Sequence, residues 1–415
     1  MIEKIKINDW RQFGNLTINF TKRLTILTGT NGSGKTTILN ILSKSFGESI
    51  NFVSNVRENE DGIVDYTSSV LGELSEKHDD YGNSLNIGEI TYGGTSVPIL
   101  VPEQVSTTYQ VLFKEAERCK GIYINSHRAL FNYKPVDTIP THALKREEIF
   151  NTYHNYKTLL LTNQYYNPNE QAPTKHIKEA IISLATFGPG NEYVKPNQEA
   201  LKLFAGFQAI LQKILPPKIG FKKISVEIPE VVLETTSGNF PIDAVSGGIA
   251  SIIELAWMIY MYNSSDENYT VLLDEPENHL HPELQQSLLP SLLEAFPNVQ
   301  FIVATHNPFI ISSVESSDIY VLKYNEKGKI FSSLLEDISI AATSNEILRE
   351  VLGITSTFPL WASKKIDSII DETLAKGISE NSLVEFRSEM EKYGFADVIP
   401  TALSQLFEGD SSDKD

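Results

Sequence analysis

The stretch GTNGSGKTT at residues 29–37 is the strongest structural signal in the sequence. It matches the pattern G-x-x-x-x-G-K-[S/T], with Gly29, Gly34, Lys35 and Thr36 at the defining positions. An apolar strand-like segment, RLTILTG, precedes the match, and KTTILNILSKSF follows it with helical spacing of its apolar residues. Strand, glycine loop and helix in this order surround a phosphate chain with backbone amides and the positive end of a helix. We therefore predict an α/β protein with a phosphate-binding loop.

Three residue types in this loop have separate roles in phosphate chemistry. Glycines let the backbone wrap closely, Lys35 supplies positive charge to the β- and γ-phosphates, and the hydroxyl of Thr36 can ligate Mg²⁺. The segment TVLLDEP predicts a buried strand that ends at Asp274. A carboxylate there can hold the Mg²⁺ through water, and Glu275 then stands where it can polarise an attacking water.

A third apolar strand, in VATHNP, ends at His306. It follows the acidic strand by one helix, so His306 is predicted to lie beside Glu275 in a parallel sheet. We expect His306 to contact the γ-phosphate and report its presence. The predicted catalytic residues are therefore Glu275, His306 and Lys35, and the predicted metal ligands are Thr36 and Asp274.

The segment VSGGIAS forms a second glycine-rich helix start, far downstream of the first. Ser246 is a good N-cap residue, and Gly247 and Gly248 leave the helix start bare, so that it can bind an anion. Ordinary capping is the alternative interpretation. One nucleotide does not need two phosphate-binding helix starts from one chain, whereas two chains arranged head to tail do need them.

These four motifs, in this order, resemble the ATP-binding-cassette type of P-loop ATPase. The similarity is to the soluble branch with RecF, the structural-maintenance-of-chromosomes heads and the overcoming-lysogenisation-defect ATPases, and most of all to the ATPase subunits of bacterial anti-phage systems such as PARIS and Septu. The resemblance implies a mostly parallel sheet flanked by helices, with an N-terminal antiparallel β part, and ATP and Mg²⁺ as cofactors. It also implies that Ser246 and Gly248 act in trans on the γ-phosphate and that Glu275 is the catalytic base.

The resemblance assigns further positions and leaves some open. The expected nucleotide-binding residues are Gly29, Asn31, Gly32, Ser33, Gly34, Lys35, Thr36, Thr37, Ser246, Gly247 and Gly248. Ile249 stands where many members have glutamine. The resemblance leaves three candidates for the residue that completes the Mg²⁺ shell: His127, Arg128 and Gln104. Arg11 and Phe13 are candidates for contact with the base of the nucleotide. His279 and His281 occupy the place of the loop through which the two active sites communicate, and they lack an evident third metal ligand.

The sequence divides into five predicted parts. These are 1–50, the N-terminal half of the ATPase core; 51–235, a mixed α/β globular insertion; 236–337, the C-terminal half of the core; 338–409, a helical tail that includes NEILREVL; and 410–415, a disordered end. Between Thr36 and Ser246 the chain is too short for a long coiled coil and lacks heptads. It is also longer than a compact transporter subunit requires.

Composition restricts the partners. The chain has 415 residues with 35 Lys and Arg against 53 Asp and Glu, a net charge of −18 that repels nucleic acid unless a local patch such as Lys213, Lys218, Lys222 and Lys223 binds it. No apolar run reaches the length of a membrane span and the single cysteine forms no internal disulfide, so we expect a cytoplasmic protein without a membrane partner.

The function expected from these observations is an ATPase that acts as sensor and scaffold in anti-phage defence. It would assemble head to tail as a dimer or a higher oligomer and control a separate effector, expected to be a nuclease, because no clustered acidic nuclease signature follows residue 340. A phage-encoded trigger is a further class of partner. The alternatives are a RecF-like DNA repair ATPase and an ATP-dependent assembly platform with little hydrolysis.

Overall fold

The structure is a computed structural model that describes residues 1–58, 64–68, 84–103, 105–114, 118–128, 131–161, 173–262, 267–335, 360–400 and 402–403. The chain divides into two units, Met1–Ile347 and Leu348–Asp415. The strands, all in the first unit, are β1 (Ile2–Ile7), β2 (Leu16–Asn19), β3 (Leu24–Gly29), β4 (Phe52–Val53), β5 (Asn55–Glu58), β6 (Val64–Thr67), β7 (Ser84–Tyr92), β8 (Thr95–Pro102), β9 (Thr108–Tyr109), β10 (Leu112–Phe113), β11 (Gly121–Ile124), β12 (Phe221–Glu227), β13 (Glu230–Thr235), β14 (Asn239–Pro241), β15 (Tyr269–Asp274), β16 (Val299–Ala304), β17 (Asp318–Tyr324) and β18 (Ile330–Leu334). Its helices are α1 (Lys35–Ser43), α2 (Arg146–Leu161), α3 (Pro173–Phe187), α4 (Gln198–Ile214), α5 (Gly247–Tyr262), α6 (Pro282–Ala295) and α7 (Pro308–Ile311).

A six-stranded central sheet positions the predicted motifs. Its order is β11-β15-β16-β3-β17-β18, with every neighbouring pair parallel except the last. Every residue of β3, β15 and β16 is buried, as expected for parallel strands that are covered on both faces. Because the strands are parallel, the segments that follow β3, β11, β15 and β16 meet at one edge of the sheet.

A five-stranded antiparallel sheet, in the order β10-β8-β7-β1-β2, forms the N-terminal β part. The first two strands pair antiparallel, with Ile5 opposite Ile18, and Ile5 also faces Ile90 of β7. The isoleucines of β1, at positions 2, 5 and 7, are buried, and a register shift between Ile2 and Lys4 accompanies the longer spacing between the first two. The fold class implied by the motifs is therefore confirmed.

Segment 51–235, predicted as an insertion, contributes strands to both sheets. β7 and β8 extend the N-terminal sheet beside β1, and β11 forms the edge of the central sheet beside β15. The segment is thus built into the same unit as the predicted ATPase core. The exact domain boundaries remain predictions.

Helix α5, which the signature segment VSGGIAS begins, is buried on nearly all sides. Eleven of its sixteen residues are buried, so it is a core helix rather than an amphipathic surface helix. The ring of Trp257 meets Phe207 of α4 edge to face, with ring centroids 4.9 Å apart. This packing gives the signature segment a fixed support.

The second unit contains α8 (Leu360–Lys376) and α9 (Glu380–Lys392). Their buried faces pack together through Ile366, Phe386 and Met390, and Ser379 begins α9 with a reciprocal capping box to Ser382. The described part of the predicted tail is therefore helical. NEILREVL and residues 410–415 lie outside the described residues. Among the helices that the structure describes, none has the length and apolarity that a bilayer crossing requires.

Candidate active site

The phosphate loop connects the end of β3 to the start of α1 in a conformation that requires glycine. Gly34, directly before the helix, has φ +83°, and no side chain caps the helix start. A Cβ atom on Gly34 would lie 2.4 Å from the ring of Phe13, and one on Gly29 would lie 2.4 Å from the carbonyl oxygen of Leu322. The bare amides at the start of α1 therefore stay available to an anion.

Lys35 holds its ammonium group inside the loop. Its Nζ donates to the carbonyl oxygens of Gly29 and Thr30, at 2.9 and 3.1 Å. Burial lowers the pKa of this group. The nearby carboxylates of Glu275, Asp274 and Glu277 act in the opposite direction. Positive charge is thus fixed at the centre of the loop, as phosphate binding requires.

Two residues that were not predicted support the outer side of the loop. Nε2 of Gln12 and Oη of Tyr324 both donate to the carbonyl oxygen of Gly32, at 3.0 and 2.9 Å. Gln12 comes from the turn before β2, and Tyr324 ends β17. No local pattern marks either residue, because each meets the loop only through the tertiary fold.

The two predicted candidates for base contact are already engaged elsewhere. The guanidinium of Arg11 lies over the rings of Trp10, Phe52 and Tyr109, with distances of 5.1–5.8 Å to the centroids. Phe13 is fully buried and packs against Gly34. Phe13 therefore supports the phosphate loop, whereas Arg11 is held by an aromatic cluster, and contact of either residue with the nucleotide base stays a prediction.

The predicted metal ligands meet at the carboxyl edge of the sheet. Oγ1 of Thr36 donates to Oδ2 of Asp274 at 2.9 Å. Burial raises the pKa of Asp274, and the hydrogen bond from Thr36 opposes this effect. A carboxylate that is removed from water and faces a hydroxyl is a suitable partial shell for a divalent cation.

Asn125 offers a third oxygen atom for a metal ion at this edge. Ile124 of β11 pairs with Leu273 of β15, so Asn125 follows in register with Asp274. Its Oδ1 is buried and has no hydrogen-bond partner among the described residues. Amide oxygen is a normal ligand for Mg²⁺. The residues present therefore fit Mg²⁺, and Asn125 fits as the ligand that the sequence analysis could not assign. Its position directly after the strand GIYI is the sequence feature that could have identified it.

The other candidates for that place differ. Arg128 is buried, and its guanidinium has no lone pair with which to ligate a metal ion. His127 is exposed, with Nδ1 3.4 Å from Oγ of Ser126. Gln104 lies outside the described residues. The chemistry thus excludes Arg128 as a ligand and favours Asn125.

Glu275 and His306 lie together, as the strand order predicted. Nδ1 of His306 is 3.3 Å from Oε1 of Glu275, and both side chains are partly open to solvent. The backbone of Glu275 adopts φ +44°, and its N–H donates to the carbonyl oxygen of Ala304 at 2.8 Å. Nδ2 of Asn278 is 3.4 Å from Oε2 of Glu275. This geometry aims a carboxylate and an imidazole beyond the strand ends, beside the phosphate loop.

The signature segment begins α5 at an exposed position. Ser246 and Gly247 are exposed, and the carbonyl of Ser246 accepts the first helical hydrogen bond, from Ala250 at 2.9 Å. A Cβ on Gly248 would lie 3.1 Å from the carbonyl oxygen of His279, so the helix start packs on the loop after Glu275. Among the described hydrogen bonds, none joins residues 246–248 to residues 29–37.

The two histidines of that loop, His279 and His281, contribute to its local backbone structure. Nδ1 of His281 accepts from the N–H of Glu283 at 3.4 Å and caps α6, and His279 adopts φ +70°. Within the described ranges no group of three or more His, Cys, Asp or Glu side chains is arranged to hold a metal ion.

Comparison with known families agrees with this geometry. Residues 133–312 match a family described as "AAA domain, putative AbiEii toxin, Type IV TA system", and residues 4–157 match an "AAA domain" family, so the two matches include the phosphate loop and the three downstream motifs. The chain is an ABC-type P-loop ATPase. It is related to ATPases of anti-phage systems.

Individual relatives of this ATPase are distant but extensive in coverage. It is 23% identical to the Retron Ec83 probable ATPase of Escherichia coli, over 94% of this chain and 86% of that protein. It is 20% identical to the Septu protein PtuA of Bacillus thuringiensis, over 92% of each chain. An SMC head domain from Thermotoga maritima aligns over 81% of this ATPase and 99% of that chain, with 13% identity and a TM-score of 0.41.

Proposed function

We propose that this ATPase is the sensor and scaffold of an anti-phage defence system. In this proposal it binds ATP and Mg²⁺, assembles head to tail with further copies of itself, and controls a separate effector protein, a nuclease, in response to a phage-encoded trigger. The observation that carries the catalytic part is the meeting of Thr36, Asp274, Glu275 and His306 at one end of the parallel sheet, next to the phosphate loop.

Each part of the proposed chemistry has a residue to perform it. The amides at the start of α1 and the ammonium of Lys35 bind the phosphates. Thr36, Asp274 and Asn125 would hold Mg²⁺, which neutralises charge on the β- and γ-phosphates. Glu275 takes a proton from the attacking water, and His306, whose Nδ1 lies 3.3 Å from Oε1 of Glu275, contacts the γ-phosphate. Hydrolysis with these assignments transfers the γ-phosphate to water.

The exposed start of α5 supports the head-to-tail arrangement. Ser246 and Gly247 are exposed at the start of the helix. An anion that belongs to another molecule could therefore bind at this helix start. Gly248 is tied to the loop after Glu275 through its close approach to His279. A γ-phosphate held by a second copy, bound at this helix start, would thus be sensed at the first copy's own catalytic loop.

The relatives and the surface charge support a protein effector over direct action on DNA. Both relatives above are named as members of defence systems, a retron and Septu. The lysines proposed as a basic patch are partly neutralised by carboxylates: Lys213 by Glu294, Lys218 by Glu283 and Lys223 by Glu234. With a net charge of −18, this surface favours the defence role over the RecF-like alternative.

Phosphate release by the purified chain tests the catalytic proposal, and phage plating on cells that carry the native locus tests the biological one. We expect Glu275→Gln to bind ATP with unchanged affinity and to lose at least about a hundredfold in hydrolysis. Loss of protection in the same variant would support hydrolysis as the working step. Full protection by Glu275→Gln would instead support an ATP-dependent assembly platform, and tight, salt-sensitive binding of bare DNA would support the RecF-like function.

A further inference from the structure

A buried cluster of charged residues lies between the loop after β15 and the signature helix α5. Arg128, which follows β11, is 8% exposed; Glu254, in the middle of α5, is 1% exposed; and Glu277, two residues after Glu275, is 6% exposed. The function proposed above assigns no role to any of the three. They belong to three separate segments: the residues after β11, the signature helix, and the loop that follows β15.

Each carboxylate of the cluster is anchored through one oxygen. Oε1 of Glu254 accepts from Oη of Tyr153 at 3.0 Å and from Nζ of Lys157 at 2.8 Å, both on α2. Oε1 of Glu277 accepts from Oγ1 of Thr305. In both glutamates Oε2 is buried and has no hydrogen-bond partner among the described residues. Each therefore offers one acceptor to a further donor.

Arg128 is a buried donor whose charge interacts with both carboxylates. Nε, Nη1 and Nη2 are all buried, and none has a hydrogen-bond partner within the described part of the chain. Burial lowers the pKa of Arg128, and the carboxylates of Glu254, Glu277 and Asp274, in that order, oppose the effect. A buried guanidinium without hydrogen bonds is unfavourable, and a planar group with five N–H donors can pair with either carboxylate.

We propose that Arg128 is a positioning residue that pairs with Glu254 in one nucleotide state and with Glu277 in the other, and so couples ATP occupancy to the orientation of the signature helix. The inference rests on the proposed function, because it assumes that ATP binds beside Asp274. The negative charge of bound nucleotide alters the electrostatic balance around Arg128 and changes its preferred carboxylate. Because Glu254 belongs to α5, a change of partner acts directly on the helix that carries Ser246 and Gly248.

A double-mutant cycle on ATP affinity measures this exchange. The dissociation constant of ATP with Mg²⁺ is determined by calorimetry in a Glu275→Gln background, for Arg128→Met, for Glu254→Gln and for the two combined. Such a cycle reports how far the interaction between the two residues differs between the free and ATP-bound states. We expect the combined effect to depart from the product of the single effects by about fivefold or more.

Lys157 provides the matched control, because it binds the same carboxylate at 2.8 Å but belongs to α2. For Lys157→Met and Glu254→Gln, the change in the dissociation constant of ATP in the double variant should equal the product of the two single changes within about twofold. Should Arg128→Met fail to fold, Arg128→Lys, which keeps the charge and loses the planar fork, enters the same cycle. If ATP still binds and the effects of Arg128→Met and Glu254→Gln simply multiply, the proposal for Arg128 is wrong while the proposed function stands. If the unmodified chain does not bind ATP, the proposed function itself is wrong.

Discussion

Glu277 gives the most quantitative prediction about the stability of the first unit. Its carboxyl is buried and accepts from Thr305, and burial raises its pKa from 4.5 to about 7. Glu275 contributes in the same direction, whereas the hydrogen bond from Thr305 and the charge of Arg128 act against it. Between these two pH values the folded chain holds a proton that the unfolded chain has lost. The contribution of Glu277 to stability therefore declines as the pH rises from 4.5 to 7.

The perturbation is Glu277→Gln, which keeps an oxygen to accept from Thr305 and removes the ionisable group. The difference between a pKa of 4.5 and one of about 7 corresponds to about 3 kcal/mol once the pH exceeds both values. We expect the variant to gain about 3 kcal/mol in free energy of unfolding at pH 8, but about 1 kcal/mol at pH 5.5.

Urea unfolding at both pH values, followed by tryptophan fluorescence, measures this difference. Glu294→Gln removes one exposed glutamate from α6 and serves as the control for net charge. A gain that is equal at pH 5.5 and pH 8, or a Glu277→Gln variant that is less stable than the unmodified chain at pH 8, would refute the reasoning.

Three further predictions concern the nucleotide site. Gly34→Ala adds a Cβ at φ +83°, so ATP affinity measured by equilibrium dialysis should fall about tenfold or more; an unchanged affinity would argue against the phosphate loop as the binding site. Asn125→Ala should raise the Mg²⁺ concentration for half-maximal hydrolysis about tenfold while His127→Ala leaves it unchanged, and the reverse result would return His127 as the ligand. Tyr324→Phe removes one hydrogen bond to Gly32 and should weaken ATP binding about two- to tenfold in the same dialysis assay; no change would mean that this hydrogen bond does not order the loop.

The sequence predicted those parts of the site that local patterns specify. A glycine loop between a strand and a helix, and polar residues directly after buried strands, are short-range features. The parallel order of the strands then brings their ends together, and this is why Asp274 lies beside Thr36 and Glu275 beside His306. Neither pair required knowledge of the long segment between the motifs.

Contacts between distant segments could not be predicted in the same way. The pairing of β7 with β1 depends on which sheet edge remains open, a property of the assembled fold. Asn125 gains its place through register with β15, and the charge of Glu254 acts on Arg128 across 126 positions of sequence. A buried polar cluster has no periodic pattern, because its members satisfy one another only in three dimensions.

Molar mass by light scattering, with and without ATP and Mg²⁺, tests most directly whether the signature segment acts in trans. The unmodified chain should rise to the mass of two or more copies with ATP, and Ser246→Arg, at an exposed position, should bind ATP yet remain at the mass of one copy and release no phosphate. Ser237→Arg, an exposed serine in the turn before β14, should behave as the unmodified chain does. If Ser246→Arg assembles and hydrolyses ATP normally, residues 246–248 are an ordinary helix start, and the head-to-tail account is wrong.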